Sequence, residues 1–244
     1  MKTIGARNTS RNADAASGTA VPHLRSYDRL LLTAERLYAE RGIDGVSLRE
    51  IAREAEQKNN SALLYYFGSK EALVDAILDL RVREIEEARN AFLDQLEAEG
   101  SSSVRCAVEA MVRPLARGLM SSRPNYYNRF LAAAQMNPAI DLAHYGEDGL
   151  RGFKRAYAML ERSLPQLPAA LVRQRYLTAV AMIAFSLADF ERIKARKAKD
   201  SRGFDMGRAV ENLIDMIAGA LSAPVSEQVG AFFAAVRKTP AGDS

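Results

Sequence analysis

The feature that most constrains the fold is a series of short helical patterns within residues 27–73. The first pattern repeats apolar residues every three to four positions, which predicts an amphipathic helix. Its apolar face comprises Leu30, Leu31, Ala34, Leu37 and Tyr38. The pattern stops at Arg41-Gly42, where a cation in the last turn precedes a glycine that can adopt the left-handed conformation. A connector over residues 43–46 follows.

Ser47 and Glu50 predict the start of a second helix. In the spacing Ser-x-x-Glu, the serine hydroxyl accepts an amide hydrogen of the first turn, and the glutamate carboxylate accepts the amide hydrogen of the serine. The residues that then face inward are Leu48, Ile51, Ala52 and Ala55. A third helix is expected over residues 60–67, and its apolar residues are Leu63, Leu64 and Phe67. Gly68 ends it, and Ser69 can cap a fourth helix.

Three short helices, the second and third joined by a tight turn, describe a helix-turn-helix. The segment RLLLTAERLYAERGIDGVSLREIAREA, followed by NNSALLYYFGSKEAL, resembles the DNA-binding domain of the TetR family of transcriptional repressors. Members of that family have a glycine after helix one, a capped helix two, a recognition helix ending in an aromatic residue, and a lysine at the start of helix four. The resemblance implies a homodimer that binds double-stranded operator DNA.

Two departures from the family pattern lie in the turn before the recognition helix. Glu56 stands where the family usually has glycine, and the spacing from Ala55 to Phe67 is one residue longer than usual. A residue other than glycine in a left-handed turn costs ~1–2 kcal/mol. Asn59 or Asn60 could relieve this cost, because asparagine tolerates that conformation.

The resemblance also implies which residues contact DNA. The start of a recognition helix enters the major groove, where asparagine can pair with adenine and lysine can donate to guanine or phosphate. Arg49 corresponds to a base-reading position, while Ser47, Tyr65, Tyr66 and Lys70 would contact phosphates. The expected DNA-contacting set is Ser47, Arg49, Lys58, Asn59, Asn60, Ser61, Tyr65, Tyr66 and Lys70. Either tyrosine could instead be a packing residue.

Helical patterns continue to the C-terminus, and no strand pattern or repeat interrupts them. The patterns cover residues 69–98, 103–121, 124–136, 148–163, 168–199, 205–221 and 226–237. The sequence therefore predicts an all-α fold with an N-terminal helix-turn-helix domain of three helices and a larger C-terminal helical domain. The resemblance implies that this second domain binds a ligand and dimerises. We place a disordered basic tail at 1–24, the DNA-binding domain at 25–72, the second domain at 73–237 and a flexible tail at 238–244.

The last long helices are the expected dimer interface. The run at 177–188 is apolar on nearly all faces, so it must be covered on more than one side. A cleaner stripe follows, made of Met206, Val210, Leu213, Ile214, Ile217 and Leu221. By the resemblance, these two helices would pair with their mates in a four-helix bundle.

The middle helices are rich in methionine and tyrosine, which could adapt around a lipophilic ligand. Pro114 lies inside one of them, so a kink and a neighbouring gap are expected. The candidate ligand-binding residues are Met111, Arg113, Leu115, Tyr127, Phe130, His144, Tyr157, Met182 and Phe185. An ordinary core is the competing interpretation for most of them. The implied effector is small and lipophilic, and a carboxylate or a thioester is the expected polar group on it. A carboxylate would favour Arg113.

Composition excludes other classes of protein. The chain has 244 residues, 48% of them hydrophobic, and one cysteine, Cys106; a reducing, cytoplasmic setting fits that usage. No apolar run is long enough to span a membrane. The two histidines, His23 and His144, form no metal-ligand or catalytic motif, so we expect no metal, cofactor or enzymatic activity. The alternative function is a helical structural or adaptor protein that does not bind DNA.

Overall fold

The computed structural model describes residues 22–56, 66–140, 150–196 and 204–236, and within these ranges the secondary structure is entirely helical. The all-α fold class is thus confirmed. The helices are α1 (Pro22–Arg41), α2 (Leu48–Glu54), α3 (Lys70–Ala98), α4 (Val104–Met120), α5 (Tyr127–Met136), α6 (Arg151–Ser163), α7 (Ala169–Ala195), α8 (Met206–Ser222) and α9 (Glu227–Val236).

Side-chain caps explain where helices α2, α3, α4 and α8 begin. Ser47, Ser69, Ser103 and Asp205 each accept an amide hydrogen of the first turn, at 2.8–3.2 Å. Each is a short polar residue in extended backbone conformation, which is the geometry that satisfies an otherwise unpaired amide. These caps set the starts of α2, α3, α4 and α8.

Helix α1 begins earlier than its apolar pattern suggested. Its first residue is Pro22, inside the segment that was expected to be disordered and five residues before the start of the apolar pattern. Proline suits the first position of a helix because its fixed φ angle is helical and its missing amide hydrogen would be unpaired there anyway. Arg41 occupies the last turn and Gly42 follows with φ +77°, as the pattern predicted.

Helices α5 and α6 take their caps from other helices. The residues that precede them, Tyr126 and Leu150, make no side-chain cap. Glu191 of α7 instead accepts the amide hydrogens of Asn128 and Arg129 in α5, at 3.1 and 3.5 Å. A carboxylate at a helix N-terminus accepts hydrogen bonds from free amides, and its negative charge interacts favourably with the positive end of the helix dipole.

Glu86 of α3 serves α6 in the same way. One oxygen of its carboxylate accepts the amide hydrogens of Gly152 and Phe153, at 2.5 and 3.4 Å. A side chain at position 152 would place a Cβ 3.0 Å from that oxygen, so glycine permits the close approach. The two caps tie α5 to α7 and α6 to α3.

Two hydrophobic cores organise the described residues. The first joins α1, α2 and the N-terminal half of α3 to one face of α5, through Tyr127, Phe130 and Ala134. The second is built from the C-terminal half of α3 together with α4, α6, α7 and α8. Because α5 packs into the first core while it lies against α7, it joins the N-terminal helices to the rest of the molecule.

Candidate DNA-binding surface and ligand cavity

The N-terminal ends of α2 and α3 form the described part of the candidate DNA-binding surface. Ser47 and Ser69 cap these ends and leave further first-turn amides available, and such ends favour phosphate. Ser47 Oγ accepts from the Glu50 amide at 3.2 Å. The Glu50 carboxylate accepts from Arg41 Nη1 at 2.5 Å, so it fastens the end of α1 to the start of α2.

Arg49, Tyr66 and Lys70 occupy three different environments. Arg49 is exposed in the first turn of α2. Tyr66 is half-buried, with its ring edge-on to that of Tyr27 at 5.8 Å. Lys70 Nζ donates to the carbonyl oxygen of Ile43 at 3.1 Å, which holds the start of α3 against the α1–α2 connector. An ammonium has three donors, so this bond is compatible with a phosphate contact.

The backbone at Glu56 has the left-handed conformation that the family pattern assigns to glycine. Its φ angle is +54°, and its amide donates to the carbonyl of Arg53 at 3.1 Å. The side chain is exposed and lies 3.9 Å from Arg29 Nη1. The strain of the turn therefore falls on Glu56 itself.

The predicted contacts Lys58, Asn59, Asn60, Ser61 and Tyr65 lie outside the described residues, as does His144. The expectations for them stay predictions. Of the nine expected DNA contacts, the structure places Ser47, Arg49, Tyr66 and Lys70.

A cavity of about 160 Å³ lies between α3, α4, α5, α6 and α7. Its walls are mainly aliphatic and aromatic, and four lining residues, Glu86, Arg89, Tyr127 and Gln135, carry polar groups. The apolar lining residues are Leu78, Val82, Ile85, Met111, Leu115, Leu131, Leu150, Phe153, Val180, Ile183 and Ala184. Few polar groups in an apolar enclosure are typical of a small-molecule site.

Three of the predicted ligand-binding residues, Met111, Leu115 and Tyr127, line this cavity. Met111 and Leu115 flank Pro114, where a gap was expected. Glu86, Arg89 and Gln135 were not among the predicted residues. Burial raises the pKa of the Tyr127 hydroxyl above its ordinary value, and the nearby Glu35 carboxylate adds to that rise, so this hydroxyl stays neutral.

Four of the other predicted residues lie elsewhere in contact with protein or solvent. Arg113 donates to Glu109 of its own helix and to Glu211 of α8, both at 2.7 Å. Met182 and Phe185 project from the outer face of α7 and are 37% and 44% exposed. Because α7 is apolar around most of its circumference, its sequence did not reveal which face points inward. The ring of Tyr157 packs against the ring of Tyr176 at 4.9 Å.

Phe130 also lies outside the cavity lining, because it is fully buried between α5 and α1. Its ring stacks on that of Tyr38 in α1, with the centroids 6.3 Å apart. Leu131 and Gln135 of the same helix line the cavity. Helix α5 thus contacts both the candidate ligand site and the first helix of the candidate DNA-binding domain.

Arg89 performs two structural tasks beside the cavity. Pro114 has no amide hydrogen, so the carbonyl of Ala110, four residues earlier, lacks its helical donor. Arg89 Nε donates to that carbonyl at 3.0 Å, and its Nη1 donates to Glu86. The guanidinium carbon also lies 5.6 Å from the centre of the Phe153 ring. Helix α4 therefore stays helical through Pro114.

A buried ion pair joins α1 to α3 near the cavity. Arg81 donates to both carboxylate oxygens of Glu35, at 2.7 and 3.0 Å. Glu35 is buried and Arg81 is half-buried. A two-pronged contact of this kind fixes relative orientation as well as contributing energy. Helix α1 is therefore joined to the helix that forms one cavity wall.

The apolar stripe of α8 faces inward. Val210, Leu213, Ile214, Ile217 and Leu221 are buried in the second core. The expectation that this stripe meets a partner subunit was wrong, because α4 and α7 of the same chain cover it. The large apolar side chains left exposed on α7 and α8 are Leu177, Met182, Phe185 and Met216.

Within the described ranges, no group of three or more His, Cys, Asp and Glu residues is arranged to hold a metal ion. No helix in the described part of the chain has the length and apolar character needed to cross a membrane.

Comparisons with known proteins match both parts of the chain. The family model for bacterial regulatory proteins of the tetR family matches residues 30–77. The model for a tetracyclin repressor-like C-terminal domain matches residues 109–220. Together they cover about two thirds of the chain. No curated protein sequence matches it.

Solved structures with a similar fold share little sequence with this chain. A protein of Shewanella sp. PV-4, assigned to the TetR-family transcription regulators, is 18% identical, with 80% of this chain and 97% of that one covered and a TM-score of 0.51. NalD, the secondary repressor of the MexAB-OprM multidrug efflux pump in Pseudomonas aeruginosa, is 20% identical, with 80% and 96% covered and a TM-score of 0.47. The two family models and the all-helical fold together show that this chain belongs to the TetR family of transcriptional regulators.

Proposed function

We propose that the protein is a homodimeric repressor that binds a palindromic operator and releases it when a small, largely apolar molecule enters the cavity. The observation that carries this proposal is the double role of α5, which lines the cavity and packs on α1. A ligand that alters the position of α5 would act on the helix-turn-helix directly, through the Phe130–Tyr38 contact.

The DNA-binding half of the proposal assigns roles to individual residues. Arg49 and Asn60 would read bases in the major groove, while Tyr66 and Lys70 would contact phosphates. The exposure of Arg49 in the first turn of α2 supports its role. The amide ends of α2 and α3 would add further phosphate contacts.

The ligand acts only if it distinguishes two conformations. A molecule that binds the DNA-bound and free forms equally well shifts no equilibrium, however tightly it binds. Helices α3 and α5 both line the cavity, and both are joined to α1, by the Arg81–Glu35 ion pair and by Phe130. Expansion of the cavity would therefore change how α1 sits on these helices and, in a dimer, the separation of the two DNA-reading domains.

The dimer interface that we propose is the exposed apolar face of α7 and α8. Leu177, Phe185 and Met216 are 58%, 44% and 57% exposed in the isolated chain. The two helices pack against each other, and large apolar side chains left exposed on neighbouring helices favour association. A two-fold axis through this face would present two helix-turn-helix domains to the two halves of a palindrome.

The proposal is tested by selecting bound sequences from a random double-stranded DNA library and titrating the selected site. Replacing Arg49 with alanine should cost ~1–3 kcal/mol on that site and relax the preference at one base position in each half-site. Lys70→Gln should instead weaken binding to all sequences and lower the salt slope by about one unit.

Arg162→Gln is the matched control, because it removes one exposed cation from α6, outside the helix-turn-helix. Its salt slope should equal that of the native protein. Failure to select any sequence, with binding that is equally weak to all DNA, would favour the helical adaptor instead. An unchanged salt slope for Lys70→Gln would reject the phosphate role of that residue alone.

A further inference from the structure

The size of the cavity suits a small molecule. An apolar cavity of about 150 Å³ accommodates benzene in another protein, and the cavity described above measures about 160 Å³. A single six-membered ring with one or two small substituents fits that volume. The chemistry of the polar lining groups then determines which substituents the site favours.

The two charged groups in the lining neutralise each other. Glu86 and Arg89 are 6% and 4% exposed and form a direct ion pair. The carboxylate also accepts two amide hydrogens of α6, and the guanidinium also donates to the carbonyl of Ala110. An anionic ligand would have to compete with Glu86 for Arg89 and would bring a second negative charge close to it.

Gln135 carries a buried hydrogen-bond acceptor that lacks a donor in the described part of the chain. Its side-chain oxygen is buried and has no hydrogen-bond partner among the described residues, while the residue lines the cavity. A buried acceptor without a donor is costly, and structures rarely leave one unpaired. A donor carried by a ligand would remove this cost. Gln135 lies four residues after Leu131 on the cavity side of α5.

We infer that the cavity recognises an uncharged, single-ring molecule with one hydroxyl group, whose hydrogen is donated to the side-chain oxygen of Gln135. This inference rests on the proposed function, in which the cavity holds the effector. It replaces the carboxylate expected from sequence, because Arg113 is held outside the cavity by Glu109 and Glu211. The ligand contact falls on α5, the helix that packs on α1.

Phenol and toluene provide a matched test, because they differ only by a hydroxyl in place of a methyl group. An apolar cavity without a partner prefers toluene, since the hydroxyl loses its hydrogen bonds to water on entry. With Gln135 as the acceptor, calorimetric and ligand-observed NMR titrations of the full chain should show phenol binding about tenfold more tightly than toluene. Benzoate should bind more weakly than phenol.

The variant that tests the residue is Gln135→Met, which keeps the length of the side chain and removes its acceptor. It should reverse the preference, so that toluene binds more tightly than phenol. Gln95→Met is the control, because Gln95 lies on the exposed face of α3 and donates to Glu99. That variant should keep the native preference for phenol.

Three results would overturn the inference: tighter binding of toluene or benzoate than of phenol by the native protein, an unchanged preference in Gln135→Met, or no binding of any of the three compounds. The proposed function is judged by a separate measurement, the affinity for the selected operator in saturating phenol. Binding of phenol through Gln135 without loss of operator affinity would keep the inference and reject a regulatory cavity. Release of the operator by toluene or benzoate at lower concentrations than by phenol would keep the regulatory cavity and reject the inference.

Discussion

At the scale of single residues, Glu56 is the one residue other than glycine in the described chain whose φ angle is positive. Its φ angle of +54° belongs to the region that glycine occupies without cost. Replacing Glu56 with glycine should raise the free energy of unfolding by about 0.5–1 kcal/mol, because relief of the strain exceeds the extra freedom of the unfolded chain. Urea unfolding measures the change.

Glu56→Ala serves as its control. Alanine keeps the Cβ atom that causes the strain, and both variants lose the same exposed contact with Arg29. That contact should contribute little, because exposed ion pairs are weak. Equal stabilities of the two variants would show that the left-handed backbone is not the source of the effect.

The buried carboxyl of Glu191 should make the stability of the protein depend on pH. Burial raises the pKa of its carboxyl above the ordinary value of 4.5, although hydrogen bonds from Asn128 and Arg129 oppose the rise. A carboxyl whose pKa is higher in the folded chain binds its proton more tightly there. Its contribution to stability is therefore complete below pH 4.5 and is lost as the pH rises through the raised pKa.

The matching experiment compares the native protein with Glu191→Gln, since glutamine does not titrate. The difference in free energy of unfolding, native minus variant, should fall as the pH is raised from 4.5. Urea unfolding at several pH values gives that difference. A difference that grows with pH would mean that the ionised pair with Arg129 outweighs the cost of burial.

At the scale of helices, α4 depends on a residue of α3 to accommodate Pro114. Replacing Arg89 with methionine would leave the Ala110 carbonyl without its donor and Glu86 with an unpaired buried charge. Loss of one partner of a buried pair costs about 3–5 kcal/mol. We expect a loss of that size in the free energy of unfolding, and partial recovery when Glu86→Gln is added.

Arg155→Met is a suitable comparison, because Arg155 also joins α6 to α3. Its carboxylate partners Asp94 and Glu97 are mostly exposed, so the loss should be about 1 kcal/mol or less. Similar losses for the two arginine variants would contradict the special role given to Arg89.

Several helix boundaries were predictable because the chain carries a local signal there, although the start of α1 at Pro22 was missed. The serine caps of α2 and α3, and the glycine after α1, are local features that act within one turn. The caps of α5 and α6 were not predictable, because Glu86 and Glu191 come from helices distant in sequence. The sequence also held a signal for the burial of Arg89 that was missed. Arg89 lies four residues from both Ile85 and Leu93, so it shares a helix face with two apolar residues that are expected to be buried.

At the scale of the whole molecule, the proposed dimer interface on α7 and α8 can be tested by variants that separate dimerisation from folding. Phe185→Asp should leave the helical content unchanged and shift the protein from dimer to monomer in sedimentation, because this side chain is exposed within the chain. Ile217→Asp is the contrasting variant. Its side chain is fully buried, so an unpaired charge there should unfold the chain. A stable dimer of Phe185→Asp would place the interface elsewhere.

The sequence predicted the cavity only in part, for a reason that concerns the whole molecule. Met111 and Leu115 were found through the proline between them, which is a local signal. Met182 and Phe185 were chosen for their residue type, but an apolar residue on α7 can face either the interior or a partner chain. Only the assembled helices distinguish these two surfaces, and Gln135 becomes significant only when its neighbours leave its oxygen unpaired.

Because residues of other helices cap the N-termini of α5 and α6, these two helices should fray from one end. A helix ordinarily loosens from both ends, where its terminal turns lack internal partners. In α5 and α6 the N-terminal turns are fastened to the long helices by Glu191 and Glu86, so thermal opening should proceed from the opposite ends. The cavity would then open transiently at the C-terminal turn of α5, next to Gln135. A small molecule would enter there while the rest of the wall stays ordered.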